Sequence, residues 1–415
     1  MDFLKKYSAL ILPVALALVA VLLFIPTKLI SSSVSENLEK SVKLNSNINS
    51  LFRDAVPQLQ WEIEAQYQSK YEQDVNTVAL LMKQTTQREL LSYSIFPEPK
   101  ASSNQIFLSF GQKYAEAIDD LANKVMNSGD APSDKILSGL TGGARTSTGR
   151  ESRNTDGSSS ESSTERIIDT ACTDKANQIA VYANPEDSFV GYNFWKEYSF
   201  VSKAQGVEDC WYAQISYWIQ EDVAQTIRQI NANSGKVFTS KAKRLLGVRF
   251  NSAEGDTALS DKAEIPIYVL KDDIEGLAPA WTGRKCGDDL DVVHFSLAVV
   301  IDARAIPEFY SYLCGQKEHK FTGWDGGAEE QTFVRNQITV LQESITAIDL
   351  KSPEHKNYRY GPAAVVKLNL ICEYIFQRVG YDEIKPESIK EQLGQSSESA
   401  DSTQNARPAN NRNRR

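Results

Sequence analysis

The sequence has little of what catalysis usually needs. Only three histidines occur, His294, His319 and His355, and none has a partner at a spacing typical of metal ligands. The motifs G-x-S-x-G and H-E-x-x-H are absent, and no G-K-[ST] follows Gly142 and Gly143. We therefore predict no catalytic residue, no cofactor and no metal site, and we expect a protein that is not an enzyme.

Paired cysteine motifs and a basic surface are also missing. The five cysteines include no C-x-x-C pair, which excludes a zinc ribbon or a thioredoxin motif. Spacing alone does not fix their connectivity, and a bridge between Cys286 and Cys314 is one possibility in an oxidising compartment. The formal net charge of -9 argues against a nucleic-acid partner, because phosphate binding needs a cationic surface.

One long apolar run lies near the amino terminus. Residues 7–25 carry no charge, and about 20 apolar residues suffice to cross a bilayer as a helix. A cleaved signal peptide is the alternative, but its apolar core is usually shorter, at roughly 7–15 residues. Lys5 and Lys6 precede the run and Lys28 follows it, which favours an inner-membrane, single-pass protein with its bulk on the periplasmic side. The predicted anchor residues are Tyr7, Leu10, Leu12, Leu16, Val19, Leu23 and Ile25.

A helical stalk is predicted after the anchor, over residues 31–95, with Pro57 dividing it. Apolar residues recur there at spacings of three and four, as in coiled coils. The stripe could pack on the chain's own domain, or it could pair with a second membrane-anchored chain, which we favour. Its predicted interface residues are Leu38, Val42, Ile48, Leu51, Tyr67, Tyr71, Val75 and Val78.

The rest of the chain divides by composition. Residues 141–166 are rich in Ser, Thr and Gly and predict a disordered linker. Alternating patterns then predict strands at 207–219, 246–250, 265–269, 293–301, 337–350 (with a bulge or bend) and 366–376. Helices are predicted at 221–233 and 303–313, so β-α-β-β occurs twice. The predicted parts are 1–30 (stub and transmembrane helix), 31–95 (stalk), 96–140 (helical segment), 141–166 (linker), 167–386 (two α/β modules) and 387–415 (disordered tail).

This order resembles the PilO and GspM family of type IV pilus and type II secretion platforms. The most specific stretch is VVHFSLAVVIDARAIPEFYSYLC, residues 292–314, a strand that passes into a helix before two amphipathic strands. The resemblance implies an α+β protein with a transmembrane helix, a coiled-coil-like stalk and ferredoxin-like βαββ modules, and it carries over no catalytic residue. The segment 315–335 and the linker near Ser158 have no counterpart in that family.

Two functions remain open at this point. The first is a non-enzymatic structural component of an envelope assembly, which forms a homodimer or a heterodimer with another bitopic membrane protein and contacts other subunits. The second is an extracytoplasmic module that senses a ligand or binds cell wall, which would need a concave pocket lined by convergent polar groups.

Overall fold

A computed structural model describes residues 8–54, 58–101, 103–146, 158–250, 265–270 and 280–395. Two compact units divide the chain between Val78 and Ala79. The first unit is helical and contains α1 (Ser8–Asp54) and most of α2 (Gln58–Gln84), which lie on either side of Pro57. The second unit combines helices with a sheet.

The elements of the second unit follow in chain order. The helices are α3 (Gln105–Asp120), α4 (Asp134–Thr146), α5 (Ser158–Gln178), α6 (Pro185–Ser188), α7 (Tyr192–Lys196), α8 (Lys203–Ile230), α9 (Ile306–Leu313), α10 (Arg378–Tyr381) and α11 (Glu387–Gln392). The strands are β1 (Ser128–Gly129), β2 (Val181–Tyr182), β3 (Ala242–Arg249), β4 (Leu290–Asp302), β5 (Lys317–Phe321), β6 (Gln331–Arg335), β7 (Ile338–Ala347) and β8 (Val365–Gln377).

One six-stranded mixed sheet forms the body of this unit, in the order β1-β2-β3-β4-β8-β7. The pairs β1–β2 and β2–β3 are parallel and the others are antiparallel. The strands β4 and β8 pair along their whole length, from Leu290 opposite Gln377 to Asp302 opposite Val365. Their alternate apolar side chains are buried on the helix-covered side, which makes this pair the centre of the core.

The long helix α8 covers that centre. It begins where the side chain of Ser202 accepts a hydrogen bond from the Gln205 amide, which satisfies one otherwise unpaired donor of the first turn. At its other end the Asn231 side chain bonds the backbone of Lys241 and Ala242 at the start of β3. The helix is therefore fixed to the sheet by polar contacts at one end as well as by packing.

The predicted membrane anchor is wrong. Among the described residues, no helix combines the length and apolar character that a membrane crossing requires. Within the predicted anchor, the side chains of residues 13–22 are described. Leu16 and Val19 are exposed there, Tyr7 lies outside the described residues, and the side chains of Leu10, Leu12, Leu23 and Ile25 also lie outside them. The predictions of a transmembrane helix, a single-pass topology and an inner-membrane location are corrected accordingly.

The predicted duplication of β-α-β-β modules is also wrong, because the predicted strands that are present, β3, β4, β7 and β8, belong to one sheet. Residues 207–219 form part of α8 rather than a strand, and the helix predicted at 221–233 continues it. In the segment 265–269 only Tyr268 makes a β-bridge, to Val293. The strands predicted around 246–250, 293–301, 337–350 and 366–376 are present as β3, β4, β7 and β8, and β7 has its irregularity between Val340 and Gln342.

The stalk and linker boundaries also differ from the prediction. α2 ends at Gln84, and residues 85–95 lie in the second unit without forming a helix. Residues 141–146 and 158–166 of the predicted linker are helical, while 147–157 lie outside the described residues. These segments extend α4 and α5, whose Leu137 and Cys172 are buried, and a helix fixed by packing adds further turns at little cost. Of the predicted tail, 387–392 is helical and 396–415 lies outside the described residues.

A close backbone contact at Gly380 yields a testable prediction. A β-carbon at this position would lie 2.0 Å from Thr86 Oγ1 and 2.3 Å from the Lys83 carbonyl oxygen. We expect Gly380→Ala to lower the free energy of unfolding by about 1–3 kcal/mol, because the backbone of α10 or of residues 83–86 must shift. Urea unfolding followed by tryptophan fluorescence measures this change.

The matched control is Gly139→Ala in α4, where nothing lies within 4 Å of the added carbon. That substitution should leave the protein equally stable or more stable by up to about 1 kcal/mol, because alanine favours a helix over glycine. Equal stability of the two variants would contradict the close contact at Gly380.

Candidate interaction surface and buried charge cluster

The predicted stalk residues form an exposed apolar stripe on α1 and α2. Each is between 47% and 72% exposed, so the helical unit itself does not bury them. We define the apolar stripe as these residues: Leu38, Val42, Ile48, Leu51, Tyr67, Tyr71, Val75 and Val78. At 100° per residue, the four members in α2 lie within about 80° of one another, and Leu38, Val42 and Ile48 in α1 lie within about 120°, with Leu51 about 60° beyond Ile48.

Charged residues occupy the other side of α1. Lys40 Nζ lies 2.8 Å from Glu36 Oε1, and Lys43 Nζ lies 3.0 Å from Glu39 Oε1. These pairs, four residues apart within the helix, stabilise it by roughly 0.2–0.5 kcal/mol each. Over residues 36–48 the helix is therefore amphipathic, with Lys40 and Lys43 paired and the side of Leu38, Val42 and Ile48 open.

A different kind of site lies inside the second unit, where four parts of the chain bring ionisable side chains together. The buried charge cluster contains Arg88 from the segment after α2, Glu221 and Asp222 from α8, His319 from β5, and Tyr374 from β8. All but Glu221 are buried, and Glu221 is partly buried.

Arg88 is the centre of this cluster. Its Nη2 contacts Glu221 Oε2 and lies 3.3 Å from Asp222 Oδ1, while its Nη1 donates to Tyr374 Oη at 2.9 Å. The Tyr374 hydroxyl lies 2.6 Å from Asp222 Oδ2 and 2.8 Å from Gln337 Oε1. The guanidinium also lies over the Trp218 ring, 5.6 Å from its centroid, which adds a cation–π contact.

The electrostatics of the cluster favour ionised carboxylates. Burial alone would raise the pKa of Asp222, but the charges of Arg88 and His319 outweigh burial and hold that pKa well below its usual range. Burial would likewise lower the pKa of Arg88, and the neighbouring carboxylates, Asp222 above all, raise it instead. The pKa of Tyr374 lies well above its ordinary value, because burial and then the charge of Asp222 disfavour a phenolate.

Further cations surround the two carboxylates. Arg335 lies next to the cluster, and burial lowers its pKa to about 10, with a further lowering by the charge of Arg88. Its Nη1 donates to the Gln87 carbonyl at 2.8 Å. Lys317 donates to the Leu313 carbonyl at 2.8 Å, and burial lowers its pKa as well. Arg88, Arg335 and Lys317 are therefore three cationic side chains close to two carboxylates, those of Glu221 and Asp222.

The donor set of Glu221, Asp222 and His319 is of a kind that could ligate a metal ion. His319 Nε2 lies 2.7 Å from Asp222 Oδ1, although the direction is not that of a hydrogen bond. Arg88 already contacts both carboxylates, however, so a side-chain cation takes the place that a metal ion would need. The arrangement fits a structural ion network better than a metal centre.

The sequence did not reveal this cluster. Arg88 and Tyr374 are separated by 286 residues, and Arg88 lies in a segment predicted as stalk. His319 lies in β5, which places it in the interior. The only local signal is the acidic pair at Glu221 and Asp222, directly after the apolar run of α8.

The cysteines predicted as a possible disulfide are free thiols in the structure. Cys286 lies beside β4, where its Sγ is 3.2 Å from the Val292 amide nitrogen, and Cys314 follows the last residue of α9. Cys172, Cys210 and Cys372 are buried. For Cys286, burial raises the pKa of the thiol to about 12.

Comparison of the chain with protein-family models, curated proteins and solved structures finds no match. The resemblance to the PilO and GspM family therefore stays a prediction from the order of elements. The apolar stripe and the buried charge cluster are therefore the features that bear on function.

Proposed function

We propose that this chain is a structural, non-enzymatic component of a larger protein assembly, acting through helix–helix contacts of α1 and α2. The observation that carries the proposal is the apolar stripe, which is largely exposed in the isolated chain. Burying apolar surface stabilises an association by about 25 cal/mol per Å², so a matching helix is the natural partner.

The polar side of α1 supports the same proposal. Its lysines are paired with glutamates of the same helix, so a partner helix need not supply charges to satisfy them. A second copy of the chain offers the same stripe and is the first partner to test. The kind of assembly that the resemblance implies, a pilus or secretion platform, stays a prediction.

The second unit supports a scaffold role in another way. Its buried charges contact one another, and a network of this kind orders the segment after α2 against α8 and β8. A rigid body of this type suits a protein that holds partners at fixed positions.

The experiment is light scattering on the purified full chain and on a Tyr71→Glu/Val75→Glu double variant. We expect the native chain to self-associate and the variant to need a higher concentration to do so, because each glutamate would be buried without a partner. The matched control is Gln73→Glu, which adds a carboxylate to the same helix on the side opposite to the stripe.

Circular dichroism of all three proteins checks that α2 stays helical. A native chain that is monomeric at every concentration, and that captures no second protein through its stripe, would contradict the proposal. Equal masses of the stripe variant and the Gln73→Glu control would contradict the assignment of the stripe as the interface.

A further inference from the structure

The two outer strands of the six-stranded sheet differ greatly in length. At one side β1 has only two residues, which gives a neighbouring chain little backbone to pair with. At the other side β7 has ten residues and pairs only with β8. Within the described part of the chain, the backbone of 339–347 makes no hydrogen bond besides those of this pairing. The sheet therefore ends on a long, open strand.

The side chains of β7 do little to discourage another strand from pairing with it. Isolated sheet edges are commonly protected by lysines, prolines, inward-pointing charges or bulges, and the irregularity of β7 leaves the stretch beyond it to be considered. After the irregularity between Val340 and Gln342, the strand reads Glu-Ser-Ile-Thr-Ala over residues 343–347, with one charge and no proline. Even that charge is engaged, since Glu343 accepts a hydrogen bond from the Tyr310 hydroxyl.

Ile345 is the apolar residue on this open stretch. It lies opposite Leu368 of β8, which is buried in the core, yet Ile345 itself is 49% exposed. Residues directly opposite one another share a face of the sheet, so Ile345 extends the core layer to the open edge. A further strand beyond β7 would cover it.

A second copy of β7 fits this edge in one register particularly well. In an antiparallel pair of identical strands about a two-fold axis, one residue must face its own counterpart. With Ile345 at the axis, a β-branched apolar pair forms at the centre, Ser344 faces the partner's Thr346, and Glu343 faces the partner's Ala347.

The charges favour the same register. The two Glu343 residues would then be four positions apart along the strands, roughly 14 Å at about 3.4 Å per residue. That separation exceeds the Debye length of about 8 Å at physiological salt, so their repulsion is largely screened. Placing Ser344 at the axis instead would halve that separation and lose the isoleucine pair.

We propose that β7 pairs antiparallel with β7 of a second copy, with Ile345 at the two-fold axis, which joins two six-stranded sheets into one. The residues involved are separate from the apolar stripe on α1 and α2. The proposal therefore goes beyond the helix pairing and does not depend on it.

The test is cysteine cross-linking of the full chain with Ile345→Cys. Residues that face each other across antiparallel strands have α-carbons about 4.5–5.5 Å apart, within the range that a disulfide spans. On mild oxidation we expect a covalent dimer that is cleaved by reductant. The matched control is Thr346→Cys, because two copies of residue 346 would be offset by two positions, too far to bridge. The native chain supplies the background from its own half-buried cysteines, Cys286 and Cys314.

A second variant, Ile345→Lys, should abolish strand pairing without disturbing an exposed position of the fold. Repeating the Ile345→Cys experiment in the Tyr71→Glu/Val75→Glu background separates the two interfaces. A cross-link that survives there supports β7 pairing independently of the helices, whereas a cross-link that forms with native helices but is lost in this background would contradict that independence. Cross-linking of Thr346→Cys as efficient as that of Ile345→Cys, or none in either variant, would overturn the inference.

Discussion

Replacing Arg88 with methionine is expected to lower the free energy of unfolding by about 3–5 kcal/mol. Arg88 Nη2 contacts both Glu221 and Asp222, and the Arg88 side chain is only 2% exposed. Removing the guanidinium leaves two carboxylates in the interior with one cation fewer, and an uncompensated buried charge costs several kcal/mol. Methionine keeps much of the side-chain volume over Trp218, so the effect reports on charge more than on packing.

The pH dependence of this variant follows from the sign of the Asp222 shift. In the native protein the pKa of Asp222 lies well below its ordinary value. Burial raises this pKa, but the charges of Arg88 and His319 lower it by more. The group therefore stabilises the fold above about pH 4, and that stability is lost as the pH falls through the lowered pKa. Without Arg88 the largest of the effects that lower this pKa is removed, so the variant keeps less of the stability that ionised Asp222 contributes at neutral pH.

The difference between native protein and variant should thus be larger at pH 7 than at about pH 3, where the pH has fallen below the ordinary pKa of an aspartate. Urea unfolding at both pH values measures this difference. Lys124→Met is the control, because it removes the exposed pair with Asp120 at 2.7 Å, for which a loss of under about 1 kcal/mol is expected. A loss at Arg88 that is as small as that at Lys124 would show that the cluster contributes no more than a surface pair.

The sequence predicted the strands that have one buried and one more exposed face. It missed helix α8, which is buried on nearly all its faces. β8 alternates buried residues such as Leu368 and Leu370 with partly exposed ones, and period-two alternation identified it. Helix α8 is covered on nearly all sides, with even Gln214, Ser216 and Gln220 buried. A helix without a polar face shows no 3.6-residue period, so its residues were assigned to a strand.

The apolar stripe could be predicted from the sequence, whereas the buried charge cluster could not. The apolar stripe on α1 and α2 is a local pattern, and its spacing is visible within a few helical turns. The buried charge cluster joins Arg88, His319 and Tyr374 from distant parts of the chain, and only the folded topology places them together. Strand order is equally non-local, which is why one sheet was predicted as two modules.

The second large effect is expected for Trp211→Ala, which should lower the free energy of unfolding by about 3–5 kcal/mol. The Trp211 ring is fully buried in α8, stacks on Tyr381 with the planes 8° apart, and meets Phe96 edge-on. Its Nε1 also donates to the Tyr268 hydroxyl at 3.0 Å, and this hydroxyl would be left without its donor.

The matched control is Trp281→Ala in the same unit, where the ring is 43% exposed and meets the His294 ring edge-on. A loss below about 1 kcal/mol is expected there, because much of that ring already contacts water.

The two variants compare the removal of the same side chain from the helix-covered core and from the surface. Unfolding by urea, followed by circular dichroism, measures both. If Trp211 were instead at the surface, the two losses would be similar. A loss at Trp211 at least three times that at Trp281 is the result that a central, buried α8 requires.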